Sequence, residues 1–183
     1  MSYAYRNLPE AQNVLSGVGD YVLIAPVRDF TTISCPEAPF TNPGDEVKIL
    51  SPHVFKAGKA FAKWTLAPEK NKLDGAASGD KGFQRFGQTL EVMVAGSYAI
   101  LHEAVKNIMN VPLIVLIQDA NCASGLWYQL GCDCQYAWAS PTFGTGTTAD
   151  GNKGYTIPIT YNSESIQIYA AGEPEVLADE SSS

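Results

Sequence analysis

The chain has no run of about 18 apolar residues, so it encodes no membrane-spanning helix. It has no basic stretch, and its net charge is -7. That excludes proteins that grip or wrap nucleic acid through phosphate contacts. It has only two histidines, His53 and His102. His53 follows Ser-Pro in a loop pattern and His102 falls on the polar side of a helix pattern, so neither is set beside a nucleophile and a carboxylate. Ser124-Gly125 is not framed by a nucleophile elbow. The segment 146–153 has Asn152 where a phosphate-binding loop needs lysine, and a strand rather than a helix follows. Asp119 and Asn121 have one calcium-like spacing without the rest of an EF loop. The acidic pairs Asp45-Glu46 and Asp179-Glu180 read as solvated surface. From these absences the chain is expected not to be an enzyme and to have no catalytic residue, no cofactor and no metal site.

Charge is also scarce. Charged residues make up 17% of the chain, against about a quarter in an average soluble protein. Hydrophobic residues reach 45%, enough for a real core. The combination suggests surface covered by neighbouring subunits. The N-terminal MSYAYRNLPEAQNVL lacks a charged-then-apolar leader, which points to cytoplasmic synthesis. The four cysteines, Cys35, Cys122, Cys132 and Cys134, do not have the spacing of a zinc knuckle. A strand over 133–139 would put Cys132 and Cys134 on one face and Asp133 on the other. Buried or half-buried free thiols are expected, in preference to a disulfide or a metal.

What is present is β-rich. Leu113–Ile117 is a short apolar run rich in branched residues, the pattern of a buried strand. Asp20–Val27 is apolar on both faces and reads the same way. Further strands are expected in EVKIL, in Lys59–Leu66, in Phe83–Val94, in Leu126–Leu130, in Gly154–Tyr161 and in Ser165–Ala170. Pro158 marks its strand as an edge or a bulge. In Phe83–Val94 the residues Phe86, Leu90, Val92 and Val94 share one face. Arg85, Thr89 and Glu91 share the other, which faces solvent, a lumen or a partner.

One helix is expected over Ser97–Asn110, capped by Ser97 and stopped by Pro112. Its apolar stripe would run through Ile100, Leu101, Ala104, Val105, Ile108 and Met109. Ser140–Asn152 is expected as a long loop. With no βαβ alternation, the fold class is mostly β: an antiparallel barrel or sandwich with one flanking α-helix. Residues 1–19 read as an N-terminal arm, 20–170 as the β-rich domain and 171–183 as an acidic, disordered tail. Leu73–Phe83 reads as a polar loop too long for a tight turn.

The succession of FKAGKAFAKWTL, GAASGDKG, KNIMNVPLIVLIQD and TGTTADGNKGYTIPI resembles virion structural proteins of tailed phages, most of all their major tail, or tail tube, proteins. The resemblance spans roughly residues 20–170 and rests on order and texture. It implies a tail-tube-like fold, hexameric rings stacked into a conduit for DNA, contacts with other tail proteins and a place in the virion tail after synthesis in the host cytoplasm. DNA would be a passing, non-specific cargo, and acidity would suit such a wall because a basic one would hold phosphates. Ring stacking would use the loop carrying Leu73, Asp74, Gly75, Gly79, Asp80, Lys81 and Phe83. Arg85, Thr89 and Glu91 would face the lumen or a partner. Two other classes stay open: a head decoration or capsid-associated protein, and a soluble binding module or an enzyme with an unrecognised site.

Overall fold

All of Leu113–Ile117 is withdrawn from water, at 0% exposure for each residue. A strand can reach that state only if both its faces and both its edges are covered. The computed structural model, which describes residues 16–120, 125–147 and 151–178, shows how this is done. In chain order the strands are β1 (Val18–Pro26), β2 (Phe30–Thr32), β3 (Lys48–Ile49), β4 (Val54–Phe55), β5 (Ala62–Thr65), β6 (Lys72–Ser78) and β7 (Arg85–Ala95). Helix α1 (Ala99–Ile108) follows. Then come β8 (Leu113–Asp119), β9 (Trp127–Leu130), β10 (Trp138–Ala139), β11 (Thr142–Gly144), β12 (Gly154–Ser163) and β13 (Gln167–Tyr169).

The larger sheet has the order β3-β13-β9-β8-β1-β5, so β8 lies between β9 and β1. All its pairings are antiparallel except β13 with β3. The second sheet has the order β10-β12-β7-β6, with β11 also paired to β12. Between the two sheets lies one core. Val22 and Ile24 of β1 and Val115 and Ile117 of β8 meet Leu90 and Val92 of β7 and Ile157 and Ile159 of β12. The opposite face of the larger sheet is closed by a second cluster, in which Leu23, Ile114 and Leu116 pack with Phe30, Ile49, Phe61, Trp127 and Tyr169. The small β2–β4 sheet supplies Phe30 and Phe55 to that cluster.

Strands hold 46% and helices 10% of the described residues, so the mostly-β expectation with one helix stands. The form is an open sandwich: among the described residues no barrel closes.

Helix α1 docks through Leu101, Val105 and Ile108, which join the inter-sheet core. The expected stripe was wider. Ile100 is 75% exposed and Met109 is exposed beyond the helix end. The cap position is Tyr98, without a side-chain cap bond. Ser97 Oγ lies instead 3.0 Å from His102 Nε2.

Several expectations are corrected. Leu73–Ser78 is no loop but most of strand β6, paired residue by residue with β7. The strand over 133–139 shrinks to Trp138–Ala139, because Cys132 N–H donates to Gln135 O at 2.6 Å and turns the chain there. The loop 140–152 contains β11. EVKIL opens as a 3-10 turn, and Asp45 in it is buried, accepting the Asn42 N–H at 2.7 Å. β12 is interior rather than an edge. Pro158 sits where its neighbour is interrupted between β10 and β11, a place that tolerates a missing N–H.

The arm boundary at residue 19 falls inside β1, and residues 1–15 lie outside the described residues. The tail is not wholly loose. Phe61 N–H donates to Glu175 O, Leu177 N–H donates to Phe61 O, and Val176 bridges Phe61 in parallel. Positions 179–183 lie outside the described residues.

Leu90, at 0% exposure, sits between the sheets. Replacing it with alanine removes methyl groups and leaves a cavity that two sheets cannot close. We expect Leu90→Ala to cost about 2–5 kcal/mol in urea unfolding. A loss below about 1 kcal/mol would show that the two sheets do not pack as described.

Candidate assembly surface

Strands β6 and β7 form a hairpin that outruns the core. Leu73, opposite Leu90, is the last β6 side chain packed against the inter-sheet cluster. From Asp74 to Ser78 every residue of β6 is exposed. The small residues Gly75, Ala76, Ala77 and Ser78 explain this: they bury little area, so nothing holds them to the body. Gly75 is required for a specific reason. A Cβ there would stand 2.5 Å from the Phe86 ring, which lies diagonally across the hairpin over the bare backbone.

The arm turns through Asp80–Phe83, with Phe83 N–H donating to Asp80 O at 2.9 Å. Gly79 takes a φ of +118°, and a Cβ there would press on Phe83 O at 2.7 Å. Phe83 stands beside this turn at 86% exposure. The outer edge of β6 has no partner strand among the described residues. Sheet edges of this kind pair with other chains unless they are shielded. The exposed Lys72–Asp74 ion pair at 3.0 Å gives little stability.

The register places the residues expected to face a lumen or partner. Thr89 lies opposite Asp74 and Thr160, and Glu91 opposite Lys72 and Pro158. Arg85 lies opposite Ser78. These side chains share the outer face of the second sheet with exposed Thr142, Thr156, Asn162 and Trp138. Arg85 and Thr89 are exposed and Glu91 is half-buried. The charged groups on this face, Lys72, Asp74, Arg85 and Glu91, are balanced in sign. The acidity of the chain is therefore not concentrated on this face.

Of the residues expected to stack rings, Gly79, Asp80, Lys81 and Phe83 lie at the hairpin tip, whereas Leu73, Asp74 and Gly75 lie along its strand. Gly87 and Gln88 continue β7 toward the body. Gln88 is buried and donates from Nε2 to Ser163 Oγ at 2.7 Å and to Ser165 O at 3.2 Å, tying the arm to the β12–β13 turn.

Two polar clusters escaped sequence reasoning. The first joins Ser97, His102 and Tyr155. His102 lies 3.0 Å from Ser97 Oγ and 2.7 Å from Tyr155 OH, with Phe143 at its ring edge. Among the described residues it has no carboxylate in the chain of bonds, and none of its members lines the cleft beside Trp127 and Tyr169 or the one beside Lys59 and Val176.

The second cluster is buried. His53 Nδ1 accepts the Ser34 N–H at 3.1 Å, which leaves Nε2 to donate to Gln129 Oε1 at 2.9 Å. Gln129, at 0% exposure, donates from Nε2 to Ser34 O at 3.2 Å and to Gly131 O at 2.9 Å. Every bond then has one donor and one acceptor, which fixes the neutral tautomer. The His53 ring stacks on Tyr169 at 5.2 Å. The available signal was Gln129 itself, a polar residue alternating with apolar ones in a short strand.

This network pins residue 34 to residue 131 and so brings the next residues together. Cys35 and Cys132 form a disulfide with a Cα–Cα separation of 5.8 Å, within the usual range. The expectation of free thiols is corrected for these two. A separation of 97 residues left no local pattern to reveal it. Cys134 is free and exposed, and Cys122 lies outside the described residues.

No family model, curated protein or solved structure matches this chain.

Burial lowers the His53 pKa below its ordinary 6.5, and the bond to Gln129 only partly offsets this. The unfolded chain therefore takes up a proton before the folded one does. The contribution of neutral His53 is complete above pH 6.5 and is lost as pH falls below it, with a slope of at most about 1.4 kcal/mol per pH unit. Urea unfolding between pH 7.5 and 5 should show this decline, and His53→Asn should flatten it. An identical decline in the variant would place the titrating group elsewhere.

Proposed function

We propose that this protein is a self-assembling structural subunit of a phage virion, and that its assembly is a tail tube of stacked hexameric rings through which DNA passes. The observation that carries the reading is the β6–β7 arm. It extends a bare strand edge and a solvent-facing phenylalanine away from the core, at positions where the isolated subunit gains nothing from either. In a ring, the free edge of β6 pairs with a strand of the next protomer and Phe83 seats in its surface, so repeated contacts offset the cost of ordering the arm. Continuous pairing around a ring removes the exposed edges of an open sandwich.

The outer face of the second sheet suits a conduit wall. Its threonines are neutral and its charges balance, so it neither holds nor repels a passing phosphate backbone. Other tail proteins would cap such a tube at its ends. A role as a head decoration protein uses the same arm differently: it would bind a finished capsid surface and leave the free protein small.

Electron microscopy and sedimentation of the purified protein test the reading. Rings or tubes are expected from the wild-type chain. Phe83→Asp should leave stability within about 0.5 kcal/mol, because the side chain touches little of the fold, yet should prevent tubes. Tubes of normal length from that variant would remove the arm from assembly. A monomeric wild-type protein that binds capsids would support decoration instead.

A further inference from the structure

We propose that, once the Cys35–Cys132 disulfide is reduced, Cys35, Cys132 and Cys134 together with Asp133 bind one thiophilic divalent cation of the zinc class.

Three of the ligand atoms are already gathered. Cys35 Sγ, Cys132 Sγ and an Asp133 carboxylate oxygen lie within 4.8 Å of one another. Cys35 Sγ lies 3.4 Å from Asp133 Oδ1 and accepts the Asp133 N–H at 3.4 Å. Cys134 Sγ donates to the same Oδ1 at 3.1 Å. Two sulfurs and one carboxylate oxygen thus form a compact group, and Cys134, exposed and bonded to the same oxygen, supplies the fourth donor once its side chain turns inward, which completes the donor set and number of a tetrahedral zinc site. In such a site sulfurs stand about 3.8 Å apart, given zinc–sulfur bonds of about 2.3 Å. Opening the disulfide lets the two sulfurs reach that separation without moving either loop far.

The scaffold around the cluster is better built than a surface turn needs. A single buried amide, Gln129 Nε2, holds the carbonyls of Ser34 and Gly131, the residues immediately before Cys35 and Cys132. His53 in turn fixes the Gln129 amide and the Ser34 N–H. Outer bonds of this kind orient metal ligands in general. The turn bond from Cys132 N–H to Gln135 O brings Cys134 back beside Asp133.

The chemistry balances. A phosphine or dithiol reductant supplies two electrons and solvent supplies two protons, giving the Cys35 and Cys132 thiols. Binding of the cation then displaces three thiol protons to solvent.

The test uses the full chain, reduced with a phosphine and titrated anaerobically with cobalt(II), then with zinc(II). One equivalent of cobalt should bind, with thiolate charge-transfer bands and the d–d bands of a tetrahedral centre, and zinc should bleach both. Cys134→Ser keeps the fold, because its side chain is exposed and its hydrogen bond is to the neighbouring Asp133. It should weaken cobalt binding at least tenfold and cut the charge-transfer intensity by about a third, since one of three thiolates is gone. Wild-type affinity in Cys134→Ser would overturn the proposal. So would the absence of cobalt–thiolate bands in reduced protein whose cysteines all react with a thiol reagent.

Discussion

Leu113–Ile117 of strand β8 meets no water on any side, and the rest of the molecule is arranged to keep it so. Its edges are taken by β1 and β9. One face is covered by the second sheet and helix α1, the other by the aromatic cluster around Phe30, Phe61 and Trp127. Removing any one cover would expose a continuous apolar face, which explains why so many short segments converge on it. β2, β3, β4 and β13 are each two or three residues long and could not stand alone. They form because each lays an apolar side chain against this central sheet. The segment around Val176 belongs to the same cover, bonded to Phe61 through the backbone.

The second sheet bears a different burden. Its inner face closes the core, while its outer face and its β6 edge are left to solvent. Burial is therefore uneven along one hairpin: β7 is buried at Gln88, Leu90 and Val92–Val94, while Arg85 and the facing residues of β6 from Asp74 on are exposed. The buried part anchors the arm, and the exposed residues of the arm can change without unfolding the core.

The buried polar network shows how a β core can place chemistry at its rim. His53, Gln129 and Ser34 satisfy one another completely, so their burial costs little. Their effect is to fix two loops that are far apart in sequence. Cys35, Asp133 and Cys134 reach solvent just outside this brace, beside the buried Cys132.

Much of the fold was legible in the sequence because burial writes a local pattern. The unbroken run Leu113–Ile117 and the doubly apolar β1 announced a sheet covered on both sides, and the period of α1 announced its docked stripe. What was not legible depended on partners distant in sequence. Residues 73–78 look like a loop because glycine, alanine and serine carry no strand signal. Only pairing with β7, and the Phe86 ring over Gly75, make them a strand. Cys132 and Cys134 resembled alternate positions of a strand until a turn bond from Cys132 to Gln135 redirected the chain. Cys35 and Cys132 met only through the Ser34–Gln129–Gly131 brace. The sequence by itself determined which segments must be buried, since hydrophobic periodicity is a property of neighbours. The tertiary structure alone decided which edges stay open and which thiols meet, since those are set by pairings across most of the chain.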